Sequence, residues 1–154
     1  VEEFDDAIRI QRTEPLNKCN IKTMPHPGFP TDMQPQISTL LTVAKGTSII
    51  NEGVWDNRFR YVEELQRMGA QISVDGKIAV IEGVDGLVGA PVRATDLRAG
   101  AAMVIAGLMA KGETSIENIN YIERGYEDII GKLTNLGADI KKISVPEPAM
   151  AKAL

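Results

Sequence analysis

The sequence is poor in the residue types that most often bind metals or form cross-links. Its 154 residues include one cysteine, Cys19, and one histidine, His26. A single cysteine excludes a disulfide within the chain, and one isolated histidine is too few for a usual metal-ligand set. We therefore expect neither a metal ion nor a cofactor. We interpret Cys19 as a small packed residue and His26 as a loop residue.

Long apolar runs and basic runs are also missing. The longest run without a polar side chain covers residues 99–110, which is shorter than the roughly 20 residues of a membrane-spanning helix. No basic run exceeds two residues and the net charge is −4, which argues against nucleic-acid binding. The acidic first ten residues lack the basic start of a signal peptide. We expect a soluble, cytoplasmic protein that binds neither nucleic acid nor membranes.

An internal repeat is the most informative pattern that the sequence does contain. The pair Thr-Asp occurs at residues 31–32 and again at 95–96, each time before a long helical pattern. Further along, Arg58 matches Arg124 and Gly69 matches Gly137. The offset drifts from 64 through 66 to 68 residues. Matches that keep their order while the offset drifts slowly indicate two related units.

The repeat predicts the order β-α-β-α-β-β in each unit. We assign residues 1–19 to the end of a preceding unit, 20–90 and 91–143 to the two units, and 144–154 to a loose tail. The predicted helices cover residues 32–45, 58–68, 96–111 and 124–136, and a last strand is predicted at 138–143. Because 99–110 is apolar on every side, protein must surround that helix. The sequence therefore predicts a partial α/β domain of the inside-out barrel type, with central helices and outer strands.

Charged residues recur at the predicted helix starts, and they allow two interpretations. Asp32 and Asp96 can cap free backbone N–H groups. Arg58, Arg98 and Arg124, however, would lie in first turns, where the helix dipole disfavours a cation. An anion bound by these arginines would explain the placement. If equivalent helix starts meet, the five residues share one site, in which a carboxylate near several cations stays ionised.

Several segments together resemble a known family. The segments PHPGFPTDMQPQ, NEGVWDNRFRYVEELQRMGA, ATDLRA and IERGYEDIIGKLTNLGA are similar to the C-terminal part of the UDP-N-acetylglucosamine 1-carboxyvinyltransferases, which are enolpyruvyl transferases. The resemblance runs from about residue 20 to residue 143. It implies an inside-out α/β domain whose helix N-termini face a substrate cleft. It also implies transfer of the enolpyruvyl group of phosphoenolpyruvate to the sugar 3′-hydroxyl, the first committed step of peptidoglycan synthesis.

The resemblance also implies roles for individual residues. Asp32 would contact the sugar 3′-hydroxyl and is a candidate base, and the backbone of Val54 would meet the sugar amide. Arg58 would lie beside the enolpyruvyl site. Asp96 and Arg98 would surround phosphoenolpyruvate, and Arg124 would close on it. The roles expected as catalytic are those of Asp32, Asp96 and Arg124.

Other parts of the family pattern have no counterpart in this sequence. The catalytic loop with its reactive cysteine or aspartate belongs to the other domain, and Cys19 is not part of that motif. The N-terminal lysine is missing as well. We therefore expect a partner in the N-terminal half of the same protein, an inactive isolated chain, and self-association through uncovered apolar helix faces. A 5-enolpyruvylshikimate-3-phosphate synthase and a non-catalytic binding module remain the alternatives.

Overall fold

The computed structural model describes residues 1–144 as a mixed α/β arrangement. The strands are Glu2–Glu3 (β1), Ile8–Arg9 (β2), Ile21–Lys22 (β3), Thr47–Asn51 (β4), Gln71–Asp75 (β5), Ile78–Glu82 (β6), Pro91–Arg93 (β7) and Ser115–Glu117 (β8). The α-helices are Gln34–Leu41 (α1), Val62–Arg67 (α2), Leu97–Met109 (α3), Asn120–Glu123 (α4) and Ile129–Asn135 (α5). Short 3-10 turns at Thr31–Met33 and Arg58–Tyr61 lead into α1 and α2. Apart from Ser144, the tail predicted at 144–154 lies outside the described residues.

The largest sheet has four strands in the order β3-β4-β6-β5. β5 and β6 form a hairpin, whose turn contains Gly76 at φ 55°. Side chains alternate between the two faces of a strand, and Ile50, Ile72 and Ile81 from the inner face are buried in the main core. The sheet therefore covers one side of the helices and exposes its other face.

Two parallel strand pairs show the repeat in three dimensions. β3 pairs with β4 and encloses α1 in sequence, while β7 pairs with β8 and encloses α3. Each pair is thus a β-α-β crossover of the predicted kind. Within residues 1–144 the three sheets remain separate and do not close into a barrel. This is the arrangement expected of a partial domain.

The helix α3 lies at the centre, but protein does not surround it completely, because Ile105 and Leu108 are exposed. Seven of its residues are buried: Ala99, Gly100, Ala101, Ala102, Met103, Val104 and Ala106. A Cβ atom at Gly100 would lie 2.5 Å from Cγ1 of Ile122, so the glycine allows α4 to approach closely. Small residues let neighbouring elements pack on α3 from several sides, and the strands lie outside.

Two details of the predicted second unit are wrong. The helix predicted at 124–136 is split into α4 and α5, because Asp128 adopts a left-handed conformation at φ 42° and caps a new helix through Gly131 N–H. The strand predicted at 138–143 does not form among the described residues. Ile140 instead packs beside the Ala94, Val104 and Ile122 cluster.

Four glycines in the segments that follow α1, α2, α3 and α5 adopt the left-handed conformation. Gly46, Gly69, Gly112 and Gly137 all have φ between 91° and 94°, the left-handed range that glycine adopts without strain. α1 nevertheless ends at Leu41, four residues before the predicted end. In residues 1–144, no helix has the length and apolar character needed to span a bilayer.

Candidate functional site

The two Thr-Asp pairs lie at the starts of α1 and α3, but their carboxylates have different partners. Asp96 is the N-cap of α3, and its Oδ1 accepts the N–H groups of Arg98 at 2.8 Å and Ala99 at 2.9 Å. Asp32 lies inside the 3-10 turn before α1, where no side chain caps the backbone. Capping therefore explains the position of Asp96 and leaves that of Asp32 unexplained.

The carboxylate of Asp32 joins side chains from both units. Its Oδ1 accepts a hydrogen bond from Nη2 of Arg58 at 3.1 Å, and its Oδ2 accepts one from Nη2 of Arg98 at 2.8 Å. The Asp32 side chain is 54% exposed, whereas that of Arg58 is 14% exposed. The three residues thus form a charged cluster, called here the Asp32 cluster, with its carboxylate towards solvent and its Arg58 guanidinium mostly covered.

The electrostatics of the Asp32 cluster favour the charged forms of Asp32 and Arg98. The hydrogen bond from Arg98 is the largest influence, and with the positive charges of Arg98 and Arg58 it outweighs partial desolvation and lowers the pKa of Asp32. The same hydrogen bond raises the pKa of Arg98, and the nearby Tyr126 acts in the same direction. Asp32 therefore stays ionised at neutral pH and is a poor proton acceptor while both arginines contact it.

Arg58 is held by the backbone as well as by Asp32. Its Nη2 also donates to the carbonyl oxygen of Thr31 at 3.2 Å. Its Nε is buried and has no hydrogen-bond partner among the described residues. A buried guanidinium with spare donor capacity favours an anion nearby. An anion site at Arg58 stays a prediction.

Val54 lies in an exposed loop, residues 53–55. The buried side chain of Glu52 connects this loop to the 3-10 turn that contains Thr31. Glu52 Oε1 accepts the N–H groups of Val54 at 3.0 Å and Trp55 at 2.9 Å, and its Oε2 accepts the hydroxyl of Thr31 at 3.1 Å. The 53–55 loop and the Asp32 cluster are therefore neighbours, connected through Glu52.

Arg124 does not occupy the predicted first turn of a helix. It follows α4 as the C-cap residue and is exposed. Within residues 1–144 its side chain forms no ion pair with any member of the Asp32 cluster. A Cβ atom at Gly125 would lie 2.7 Å from Cδ2 of Leu97, so Arg124 is carried on a segment that packs against the start of α3.

The structure thus brings Asp32, Arg58 and Arg98 into direct contact, adds Asp96 through the α3 cap, and leaves Arg124 apart. Sequence reasoning missed Glu52 and Tyr126. Tyr61 in the first unit and Tyr126 in the second are 65 residues apart, close to the offsets of the repeat, and this aromatic match could have pointed to Tyr126. No sequence signal separates Glu52 from the exposed acids, because its role depends on burial.

A family model and curated relatives match most of the chain. The model for EPSP synthase (3-phosphoshikimate 1-carboxyvinyltransferase) matches residues 1–133. UDP-N-acetylglucosamine 1-carboxyvinyltransferase 3 of Caldanaerobacter subterraneus subsp. tengcongensis is 57% identical over 93% of this chain and 34% of the relative. The Desulfofundulus thermocisternus and Clostridium perfringens relatives carry the same enzyme name at 54% and 56% identity, with 63% and 33% of their lengths covered. The chain therefore spans only part of the length of these relatives.

Solved structures agree with the fold. The enolpyruvyl transferase NikO from Streptomyces tendae is 35% identical, with a TM-score of 0.77 over 84% of this chain and 30% of that one. EPSP synthase from Acinetobacter baumannii is 22% identical with a TM-score of 0.52 over 74% of this chain and 29% of that one, a likeness of fold alone. The predicted enolpyruvyl transferase-like fold, present as a partial domain, is confirmed.

Proposed function

The chain belongs to the EPSP synthase family, and we propose that it is part of an enolpyruvyl transferase that uses UDP-N-acetylglucosamine as acceptor. The observation that carries the proposal is the Asp32 cluster, where one carboxylate meets a guanidinium from each unit. The identities of 54% to 57% with relatives of that name favour this acceptor over shikimate 3-phosphate. We assign the parent protein to the bacterial cytoplasm and to peptidoglycan synthesis.

The charges of the Asp32 cluster suit the two stages of the proposed reaction. The sugar 3′-hydroxyl gives up its proton and adds to the middle carbon of phosphoenolpyruvate, whose methylene carbon gains a proton and becomes a methyl group. Phosphate then leaves while that methyl group loses a proton, and the vinyl ether forms. Negative charge builds on the departing phosphate, and fixed guanidinium groups stabilise it. Arg58 and Arg98 supply such groups, and Arg124 would add a third from its exposed segment.

We assign Asp32 the role of accepting a hydrogen bond, and then the proton, from the sugar hydroxyl. In the free chain both arginines contact Asp32 and lower its pKa. An anionic substrate that recruits Arg58 and Arg98 weakens these contacts, so the pKa of Asp32 rises towards the range useful to a base. Asp96 would help through Oδ2, because its Oδ1 holds both N–H groups of the α3 cap.

The proposal is tested with a chimera in which this chain replaces the corresponding part of the Clostridium perfringens relative. We expect phosphate release from phosphoenolpyruvate with UDP-N-acetylglucosamine and none with shikimate 3-phosphate. The matched control is the Asp32→Asn chimera, which keeps the shape of the site and should lose at least about 100-fold in kcat, the scale of general acid–base catalysis. Release with shikimate 3-phosphate only would contradict the choice of acceptor.

The isolated chain gives a second test. We propose that it does not transfer enolpyruvyl groups, since the catalytic loop and lysine of the family lie outside it, and that it self-associates. Leu40, Ile105 and Leu108 are exposed apolar residues of α1 and α3 and favour such contacts. Turnover by the isolated chain, or a monomer at high concentration in sedimentation experiments, would contradict these two statements respectively.

A further inference from the structure

Glu52 has a buried carboxylate that accepts its hydrogen bonds from neutral donors. Its residue is 1% exposed, and within residues 1–144 it forms no ion pair. Burying a carboxylate is costly unless hydrogen bonds satisfy it. The two N–H groups of the 53–55 loop and the Thr31 hydroxyl supply them. A position this costly is maintained only if the fold or the site needs those three bonds.

The orientation of the Val54 carbonyl follows from the bond that Glu52 makes to Trp55. The carbonyl of Val54 and the N–H of Trp55 belong to the same peptide unit, which is planar and trans, so the two groups point in opposite directions. The only cis bond in the described chain is His26–Pro27. Because the Trp55 N–H points at buried Glu52, the Val54 oxygen points away from it. Glu52 therefore aims that acceptor out of the core.

The remaining N–H group of the 53–55 loop, that of Gly53, also donates a hydrogen bond to a side chain. Gly53 donates to Oγ1 of Thr23 at 2.9 Å. A Cβ atom at Gly53 would lie 2.5 Å from the carbonyl oxygen of Thr23, so the loop is pressed against the end of β3. With all three N–H groups donating inward to side chains, the loop has one well-defined backbone orientation.

Glu52 also fixes the other segment of the site. Its Oε2 holds Thr31, which is adjacent to Asp32 and whose carbonyl oxygen accepts from Arg58. One side chain thus sets the relative positions of the Val54 carbonyl and the Asp32 cluster. In the second unit, the residue at the matching offset is Asn118, which has φ 60° and is exposed. Among residues 1–144, only the first unit therefore has a buried acid that connects these two segments.

We propose that Glu52 is a positioning residue for the nucleotide-sugar subsite: it presents the Val54 carbonyl to a ligand N–H at a fixed distance from Asp32. The inference rests on the proposed function, in which the ligand is an N-acetylated sugar whose amide N–H is a suitable donor. It assigns to Glu52 no contact with substrate and no proton transfer.

The first experiment measures hydrogen exchange of the Val54 and Trp55 amides in the ligand-free chain. Glu52→Gln keeps the reach of the side chain, and its amide can donate to the Thr31 hydroxyl, so both amides should stay protected. Glu52→Asp keeps the charge but is shorter by about 1.5 Å, one carbon–carbon bond, so both amides should exchange about tenfold faster, the value of one hydrogen bond. A role in charge alone would give the reverse order.

The matched control is Glu64→Leu. Glu64 is also a buried acid and accepts a backbone N–H, that of Arg93 at 3.0 Å, but it contacts neither segment held by Glu52. It should lower overall stability and leave the protection of Val54 and Trp55 unchanged relative to neighbouring amides. Equal loss of protection in Glu64→Leu and Glu52→Asp would overturn the proposal.

The second experiment measures kinetics in the chimera. Glu52→Asp should raise KM for UDP-N-acetylglucosamine about tenfold, the value of one ligand hydrogen bond, while KM for phosphoenolpyruvate stays constant and Glu52→Gln restores the original KM. A lower kcat with unchanged KM for the sugar would contradict a positioning role. If the chimera uses only shikimate 3-phosphate, the proposed function fails and the ligand assignment fails with it. The exchange experiment then still decides whether Glu52 orients the loop.

Discussion

The two Thr-Asp pairs show how one dipeptide acquires two roles. Asp96 has an extended backbone and caps α3, whereas Asp32 lies within a 3-10 turn and contacts two arginines. Pro35, near the first position of α1, contributes to the difference. Proline has no N–H group, so α1 begins with one fewer donor to satisfy. The Asp32 carboxylate is left available for the arginines.

The hydroxyl groups of the two threonines also differ in their hydrogen-bond partners. The hydroxyl of Thr31 donates to Glu52, while that of Thr95 is buried and has no partner within the described chain. The first pair contacts a loop and a charged cluster, whereas in the second pair Asp96 alone caps its own helix. Local capping and site formation are therefore separate uses of the same two residues, decided by their neighbours.

The largest contrast that we expect concerns the matching tyrosines of the two units. Tyr61 is buried and its hydroxyl lies 3.0 Å from Gln34 Oε1 and 2.7 Å from Ser38 Oγ. Tyr61→Phe removes the hydroxyl partner of buried Gln34 Oε1 and leaves Ser38 Oγ with only its bond to the Gln34 carbonyl oxygen. It should lower the free energy of unfolding by about 1–3 kcal/mol. Tyr126 is partly exposed, so Tyr126→Phe should cost about 0.5 kcal/mol or less. Urea denaturation of both variants gives the comparison, and equal losses would contradict it.

The second contrast compares the two aspartates directly. Asp96→Ala removes the cap of α3 and should lower the free energy of unfolding by about 1 kcal/mol. Asp32→Ala removes the two ion pairs of an exposed carboxylate and should change the free energy of unfolding by less than about 0.5 kcal/mol. Asp96→Ser retains a capping oxygen and should recover most of the loss. A larger loss for Asp32→Ala in urea denaturation would mean that Asp32 supports the fold.

A smaller effect is expected from pH. The pKa of Asp32 is lower in the folded chain than its ordinary value of 3.8. At pH values between the folded and the unfolded pKa the unfolded state binds more protons, so the free energy of unfolding rises with pH. The contribution is complete above pH 3.8 and disappears as pH falls through the folded pKa. Because the side chain is exposed, a few tenths of a kcal/mol is the expected size. The difference in unfolding free energy between the original chain and Asp32→Asn, followed from pH 6 downwards, should shrink below pH 4, and a constant difference would be inconsistent with this origin.

The smallest effect is expected at Arg124. Arg124→Gln should leave both the stability of the free chain and the Asp32 pKa unchanged, because Arg124 makes no contact with the cluster in the described residues. In the chimera the same variant should raise KM for phosphoenolpyruvate if Arg124 closes on the substrate. A shift of the Asp32 pKa in the free chain would place Arg124 in the cluster before substrate binds.

Local patterns were the predictable part of the fold and site. The apolar segment 99–110 indicated a central helix, and Asp96 could be placed as a cap from its position alone. Asp32 could be placed near a helix start, but its release from capping depends on Pro35 and on arginines brought together by the fold. Arg124 was misplaced because the left-handed Asp128 divides the predicted helix. Glu52 was not predicted, because the sequence does not show whether a charged residue is buried.

The most direct test of the shared Asp32 cluster is an NMR titration of the Asp32 carboxyl in the original chain and in Arg98→Gln and Arg58→Gln. The structure predicts a pKa below 3.8 in the original chain, a rise in both variants, and the larger rise in Arg98→Gln, whose hydrogen bond is the strongest influence. An Asp32 pKa that does not respond to Arg98→Gln would show that the two units do not meet at this carboxylate.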